Sequence, residues 1–95
     1  HNIVLDMRRN SQTYLNWQSF KISEKNMLSL FIPTGCANAY ITMEKNTSIL
    51  YYHSEFYNPQ YSRSVFYDDP YFNFDWPFKP KVISEKDNNI DNFKI

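Results

Sequence analysis

The sequence predicts an all-β domain, a sandwich or barrel. Short apolar or alternating segments recur roughly every ten residues, no stretch carries a helical apolar stripe, and turn-forming residues fall between the segments. Only one glycine, Gly35, is present, so asparagine must supply most of the unusual backbone angles. It tolerates the left-handed region better than other residues bearing a side chain, which places Asn10, Asn16, Asn26, Asn46 and Asn58 at expected turns.

Each element follows from its residues. "NIVLDM", 2–7, is apolar and β-branched and is bounded by the polar "RRNSQ", as a buried strand would be. "WQSFKI", 17–22, alternates, with Trp17, Ser19 and Lys21 on one side and Gln18, Phe20 and Ile22 on the other. "SEKN", 23–26, reads as a turn. "MLSLFI", 27–32, predicts a strand stopped by "PTG", because proline lacks a ladder donor and glycine supplies a positive dihedral. "NAYITM" and "SILYYHSEFY" predict an antiparallel hairpin closed by the polar "EKNT". "SRSVFY" gives one more strand and "YDDP" turns the chain.

The 95 residues make one domain, 1–95, with strands over 1–70 and a docked tail of little regular structure over 71–95. Within that tail, "NFDWPFKPKVISEKD" carries too many aromatic groups to stay in solvent, whereas the polar "KDNNIDN" is expected to fray. Chains of this size bury about 60–65% of their unfolded surface, so the core is small. The chain opens at His1 inside what reads as a strand, as a fragment would.

Ten Lys and Arg balance ten Asp and Glu, which removes the electrostatic grip that nucleic acid or an anionic membrane would require. A single cysteine, Cys36, leaves no internal disulfide, and no signal-peptide pattern opens the chain, so a cytoplasmic location is expected. Apolar runs fall far short of the roughly 20 residues that span a bilayer.

Alternation along "YYHSEF" lines up Tyr51, His53 and Glu55 on one face and Tyr52, Ser54 and Phe56 on the other. A phenol, an imidazole and a carboxylate in a row can move protons, or can simply face water. One imidazole and one carboxylate are too few for a metal. Cys36 has no evident base beside it and reads as a small buried thiol.

"FIPTGCANAYITM", "ILYYHSEFYNP", "SRSVFYDDP", "DWP" and "ISEKD", in this order and spacing, resemble the carboxy-terminal half of the sugar-nucleotide 3,5-epimerases typified by dTDP-4-dehydrorhamnose 3,5-epimerase. "VLDMRRNSQTYLNW" extends the resemblance through the family's Asp-x-Arg, Ser-x-Thr-aromatic and Trp landmarks, so it covers nearly the whole chain.

The resemblance implies a cupin-type jelly roll, incomplete in these residues, that assembles as a homodimer, needs no cofactor and acts on a nucleotide-linked keto-sugar in deoxysugar or surface-polysaccharide biosynthesis. It implies inversion at C3, C5 or both, next to a C4 ketone: a base removes a proton and an acid returns one from the opposite face. The motif matched by "ILYY" puts the acid on Tyr51. The motif matched by "ISEKD" puts on Asp87 the carboxylate that orients the base histidine, whose Gly-Leu-His motif lies in the family's other half. Half a jelly roll leaves edge strands and an apolar face uncovered, so these residues alone are expected to associate or aggregate.

The departures are informative. The family's Gly-Phe-Ala-His-Gly is here Gly35-Cys36-Ala37-Asn38-Ala39, and Asn38 stands where many cupins hold a metal ligand, which argues against a metal. Its amide can still donate to a sugar hydroxyl or an enolate oxygen. The family's Asp-Tyr-Tyr is here Glu55-Phe56-Tyr57, so Phe56 or Tyr57 is expected to stack on the nucleotide base. Arg63 reads as structural, pairing with Asp68 or Asp69, and His53 as incidental. The alternative function is a non-catalytic cupin half that binds a nucleotide sugar or serves in dimer packing; a carbohydrate-binding sandwich rests only on aromatic content.

Overall fold

A computed structural model gives the fold, described for residues 1–53 and 63–94. It is consistent with the all-β expectation: three antiparallel strands, β1 (Asn2–Asp6), β2 (Trp17–Phe20) and β3 (Cys36–Tyr40), in the order β2-β1-β3, and one helical turn, α1 (Glu85–Asn88).

The register decides what each face carries. Ile3 stands opposite Ser19 and Ala39, and Leu5 opposite Trp17 and Ala37. Directly opposed residues share a face, so these six side chains form one surface. Ile3 and Leu5 at its centre are 3% and 2% exposed. The alanines of β3 are too short to fill the space above them. Asn38, opposite Val4, belongs to the other face.

The loop from β1 to β2 is organised by one carboxylate. Asp6 accepts from Arg8 Nε at 2.9 Å, Arg8 Nη2 at 3.0 Å, Ser11 Oγ at 2.6 Å and Thr13 Oγ1 at 2.5 Å, as well as from the Arg8 amide. The Asp-x-Arg and Ser-x-Thr patterns are therefore one hydrogen-bonded cluster. Arg8, followed by Ser11 and Thr13, holds the Asp6 carboxyl well below the usual carboxylate range.

Gly35 lies at φ 90°, and a Cβ there would stand 2.6 Å from Arg8 Cγ. Glycine is needed both for the dihedral and for the space, as "PTG" indicates. Asn46 is left-handed as expected; Leu15, Met27 and Asn73 adopt the same conformation unannounced.

Of the strands expected over 27–32, 48–57 and 62–67, the described residues, 27–32, 48–53 and 63–67, are not strands, and 54–57 and 62 lie outside the described residues. Extended backbone becomes a strand only by pairing, and no described residue forms a ladder with these segments. Met27 and Phe31 remain 82% and 89% exposed. The hairpin expectation survives only as a reversal: Thr47 Oγ1 donates to the Glu44 carbonyl at 2.7 Å, closing the turn that brings the chain back past β3.

Residues 72–76 lie against the sheet. Phe74 meets Trp17 with ring centroids 5.4 Å apart and stacks on Phe72 at 5.2 Å. Two indole nitrogens fix the arrangement, Trp17 Nε1 donating to the Phe72 carbonyl at 2.9 Å and Trp76 Nε1 to that of Tyr67 at 2.7 Å. Asp75 is held by Ser19 Oγ at 2.8 Å and by His1 Nε2 at 3.2 Å. The Asp-Trp-Pro corner thus lies against β2 and the start of β1.

Fraying was the wrong expectation for the end of the chain. The Phe93 amide donates to Asp69 Oδ2 at 2.6 Å, and its ring lies 5.3 Å from those of both Tyr71 and Phe72. Asp69, 1% exposed, also accepts from the Tyr71 amide at 2.9 Å. One aromatic group in a polar stretch is enough to anchor it, given a buried acceptor for its amide.

Candidate active site

A cavity of about 680 Å³ opens over the β3 side of the sheet. Leu5 and the short side chains of Ala37 and Ala39 contribute to its lining, with Trp76 from the docked tail. Small residues on an edge strand, covered by a folded-back tail, leave a hollow rather than a packed core.

Tyr51 and Asp87 both line this cavity. Tyr51 arrives by the reversal at 44–47, and its ring comes to rest 6.1 Å from that of Tyr40 at the end of β3. His53 lies on it at 5.7 Å, the two planes inclined by 33°. Partial burial, and then the neighbouring Tyr40 phenol, push the Tyr51 phenol up to about 12. A phenol in that state keeps its proton through the neutral range and can donate it without first carrying charge.

Asp87 arrives by α1. Ser84 caps that turn at φ −67° and ψ 150°, its hydroxyl accepting from the Asp87 amide at 3.1 Å. The spacing Ser-x-x-Asp is therefore a cap, in which the hydroxyl satisfies an amide that has no partner within the helix.

The remaining expected site residues behave differently. Asn38 also borders the cavity, yet its amide nitrogen donates to Asn2 Oδ1 and, at 3.1 Å, to the Ile3 carbonyl. Its two donor hydrogens are thereby engaged within the sheet. Phe56 and Tyr57 lie outside the described residues. Arg63 joins the cavity wall, while the Asp69 carboxylate is taken up by main-chain amides. Cys36 points its sulfur towards Asp6 Oδ1 at 4.0 Å. Among the described residues no group of three or more His, Cys, Asp and Glu could hold a metal ion, and no helix is long and apolar enough to cross a membrane.

Tyr40 was not singled out by sequence reasoning. Its position, eleven residues before Tyr51 across a turn, is the signal that could have found it.

Comparison with known proteins bears on the same residues. A family model described as dTDP-4-dehydrorhamnose 3,5-epimerase matches residues 1–94. Proteins named dTDP-4-dehydrorhamnose 3,5-epimerase are similar to this chain: that of Methanothermobacter thermautotrophicus is 34% identical over 93% of the chain and 49% of its own length. Those of Sinorhizobium fredii and Pseudomonas aeruginosa are 33% and 30% identical, over 93% and 90% of the chain and 46% and 48% of their own lengths. The chain spans about half the length of the curated relatives it matches. No solved structure gives a significant match. A match that runs through every described element, including the strands, the cavity wall and the capped turn, places this chain in the dTDP-4-dehydrorhamnose 3,5-epimerase family.

Proposed function

We propose that the protein containing this chain is a sugar-nucleotide epimerase that inverts C3, C5 or both in a dTDP-linked 4-keto-6-deoxy sugar, within dTDP-rhamnose or related polysaccharide biosynthesis. The observation that carries the reading is the convergence of Tyr51 and Asp87 on one cavity, in motifs that match the family.

The C4 ketone acidifies the hydrogens on its neighbouring carbons. A base takes one of them and the electron pair passes to the carbonyl oxygen as an enolate, which fixed donors stabilise. Tyr51 then gives its hydroxyl proton to the carbon from the opposite face. Asp87 acts through an imidazole contributed from outside these residues, fixing its tautomer and stabilising the imidazolium formed on proton abstraction. The reaction proposed needs no cofactor. Phe56 and Tyr57 are assigned to the nucleotide base, and the assembly to a cytoplasmic homodimer of cupin jelly rolls.

Asn38 supports a second reading. With its amide donors bound to Asn2 and the Ile3 carbonyl, it offers less to an enolate than a free side chain would. A catalytically inert cupin half that binds a nucleotide sugar, or packs in a dimer, follows from that. Incubating the complete protein with the 4-keto sugar nucleotide in deuterated water separates the two. Deuterium at C3 or C5 with inversion supports the epimerase; tight binding without exchange supports the inert half.

A further inference from the structure

Asp75 binds two separate parts of the sheet with one carboxylate. Its Oδ2 accepts from Ser19 Oγ on β2 at 2.8 Å, and its Oδ1 lies 3.2 Å from Nε2 of His1, the residue before β1. Both anchors are themselves fixed: Ser19 is paired opposite Ile3, and the His1 carbonyl accepts the Ile41 amide at 2.9 Å, just beyond β3. The residue after Asp75, Trp76, stands in the cavity wall. Its indole has the His1 ring at 5.9 Å and the Phe74 ring at 6.5 Å, and its Nε1 donates to the Tyr67 carbonyl at 2.7 Å.

We propose that Asp75 is a positioning residue for the substrate cavity: by joining Ser19 and His1 it holds the Trp76 indole as the wall on which the sugar of the nucleotide-linked substrate rests. The proposal rests on the reading of this cavity as the sugar site.

Stability does not account for the arrangement. The Asp75 side chain is 52% exposed, and a carboxylate paired at the surface contributes little to folding. What two bonds from one carboxylate to two places supply is geometry. The contacts of the indole orient its ring, but the backbone beneath it lies outside the sheet. Asp75 ties that backbone down one residue earlier. An indole offers a broad apolar face, which complements the C–H groups on one side of a sugar ring. Trp76 carries no proton for the reaction, and a contact of this kind is made equally before and after a proton leaves the sugar. It therefore governs binding and leaves the chemical step alone.

The test uses the complete protein with nitrogen-15 in its tryptophans, the Trp76 indole resonance being assigned by its loss in Trp76→Phe. Asp75→Ala is expected to shift that resonance and to raise KM for the 4-keto sugar nucleotide about fivefold, with kcat within about twofold. Asp75→Asn, which keeps an acceptor for Ser19, is expected to recover part of the loss. Asp75→Ala combined with Ser19→Ala is expected to be no worse than Asp75→Ala alone, since both break one link. If Asp75→Ala leaves KM and the indole resonance like the parent's while the melting temperature falls, the cluster serves stability only and the proposal is overturned. A shifted indole with an unchanged KM overturns it equally. If the parent itself neither exchanges nor epimerises the sugar nucleotide, the functional reading fails instead, while a shifted indole would still establish the tie between Asp75 and Trp76.

Discussion

The Ser84 hydroxyl accepts the Asp87 amide hydrogen at 3.1 Å, and this contact closes the helical turn that brings Asp87 to the cavity wall. Removing the hydroxyl should loosen the turn at a cost of about 1 kcal/mol, the usual loss for an N-cap. Because α1 is exposed and has no buried residues, the global melting temperature of Ser84→Ala should fall by no more than a few degrees. Epimerase turnover in the complete protein should fall more steeply than stability does, which parallel melts and kinetics would reveal.

Leu5 is the most buried large apolar side chain among the described residues and stands opposite both Trp17 and Ala37. Leu5→Ala should cost about 2–5 kcal/mol, from lost transfer energy and an unfilled space. Denaturant titration would show a lower midpoint with an unchanged slope.

Asp6 sets a pH dependence of known sign. Its carboxyl titrates lower in the folded protein than in the unfolded chain, because Arg8, Ser11 and Thr13 bind the charged form. Such a group contributes stability that is present above its unfolded value of about 4 and lost as pH falls below it. Asp6→Asn should therefore melt lower than the parent at pH 7, and the gap should narrow as pH approaches 2. Melts at several pH values measure the gap directly.

Gly35 combines a positive φ with a close approach to Arg8. Gly35→Ala should lose about 1 kcal/mol or more from backbone strain alone, and should also push Arg8 off Asp6. Its melting temperature should consequently become less sensitive to acid, as in Asp6→Asn.

How much of this could be read in the sequence depended on whether the controlling contact was local. β1 follows from its apolar, β-branched run and β2 from alternation, because each pattern is a property of the segment's own residues. Asn46 and Gly35 announce their turns through their own backbone preferences. The segment 27–32 looks equally like a strand, but pairing is a property of two segments, and no described residue pairs with this one. β3 begins two residues earlier than "NAYITM" indicates, since its start is set by Cys36 standing opposite Asp6. The same non-locality hid Phe93, whose place is made by the buried Asp69 carboxylate 24 residues away. At the site, Tyr51 and Asp87 were legible through family motifs, whereas Tyr40 and the engagement of the Asn38 amide emerged only from the fold.

The central claim is that Tyr51 returns a proton and Asp87 serves the base that removes one. Deuterium exchange into the 4-keto sugar nucleotide, followed by proton NMR for the complete protein and its variants, tests it most directly. Tyr51→Phe should still exchange hydrogen next to the ketone while losing inversion by at least about a hundredfold, and Asp87→Asn should lose both exchange and inversion. Parent-like exchange and inversion in both variants would contradict the account.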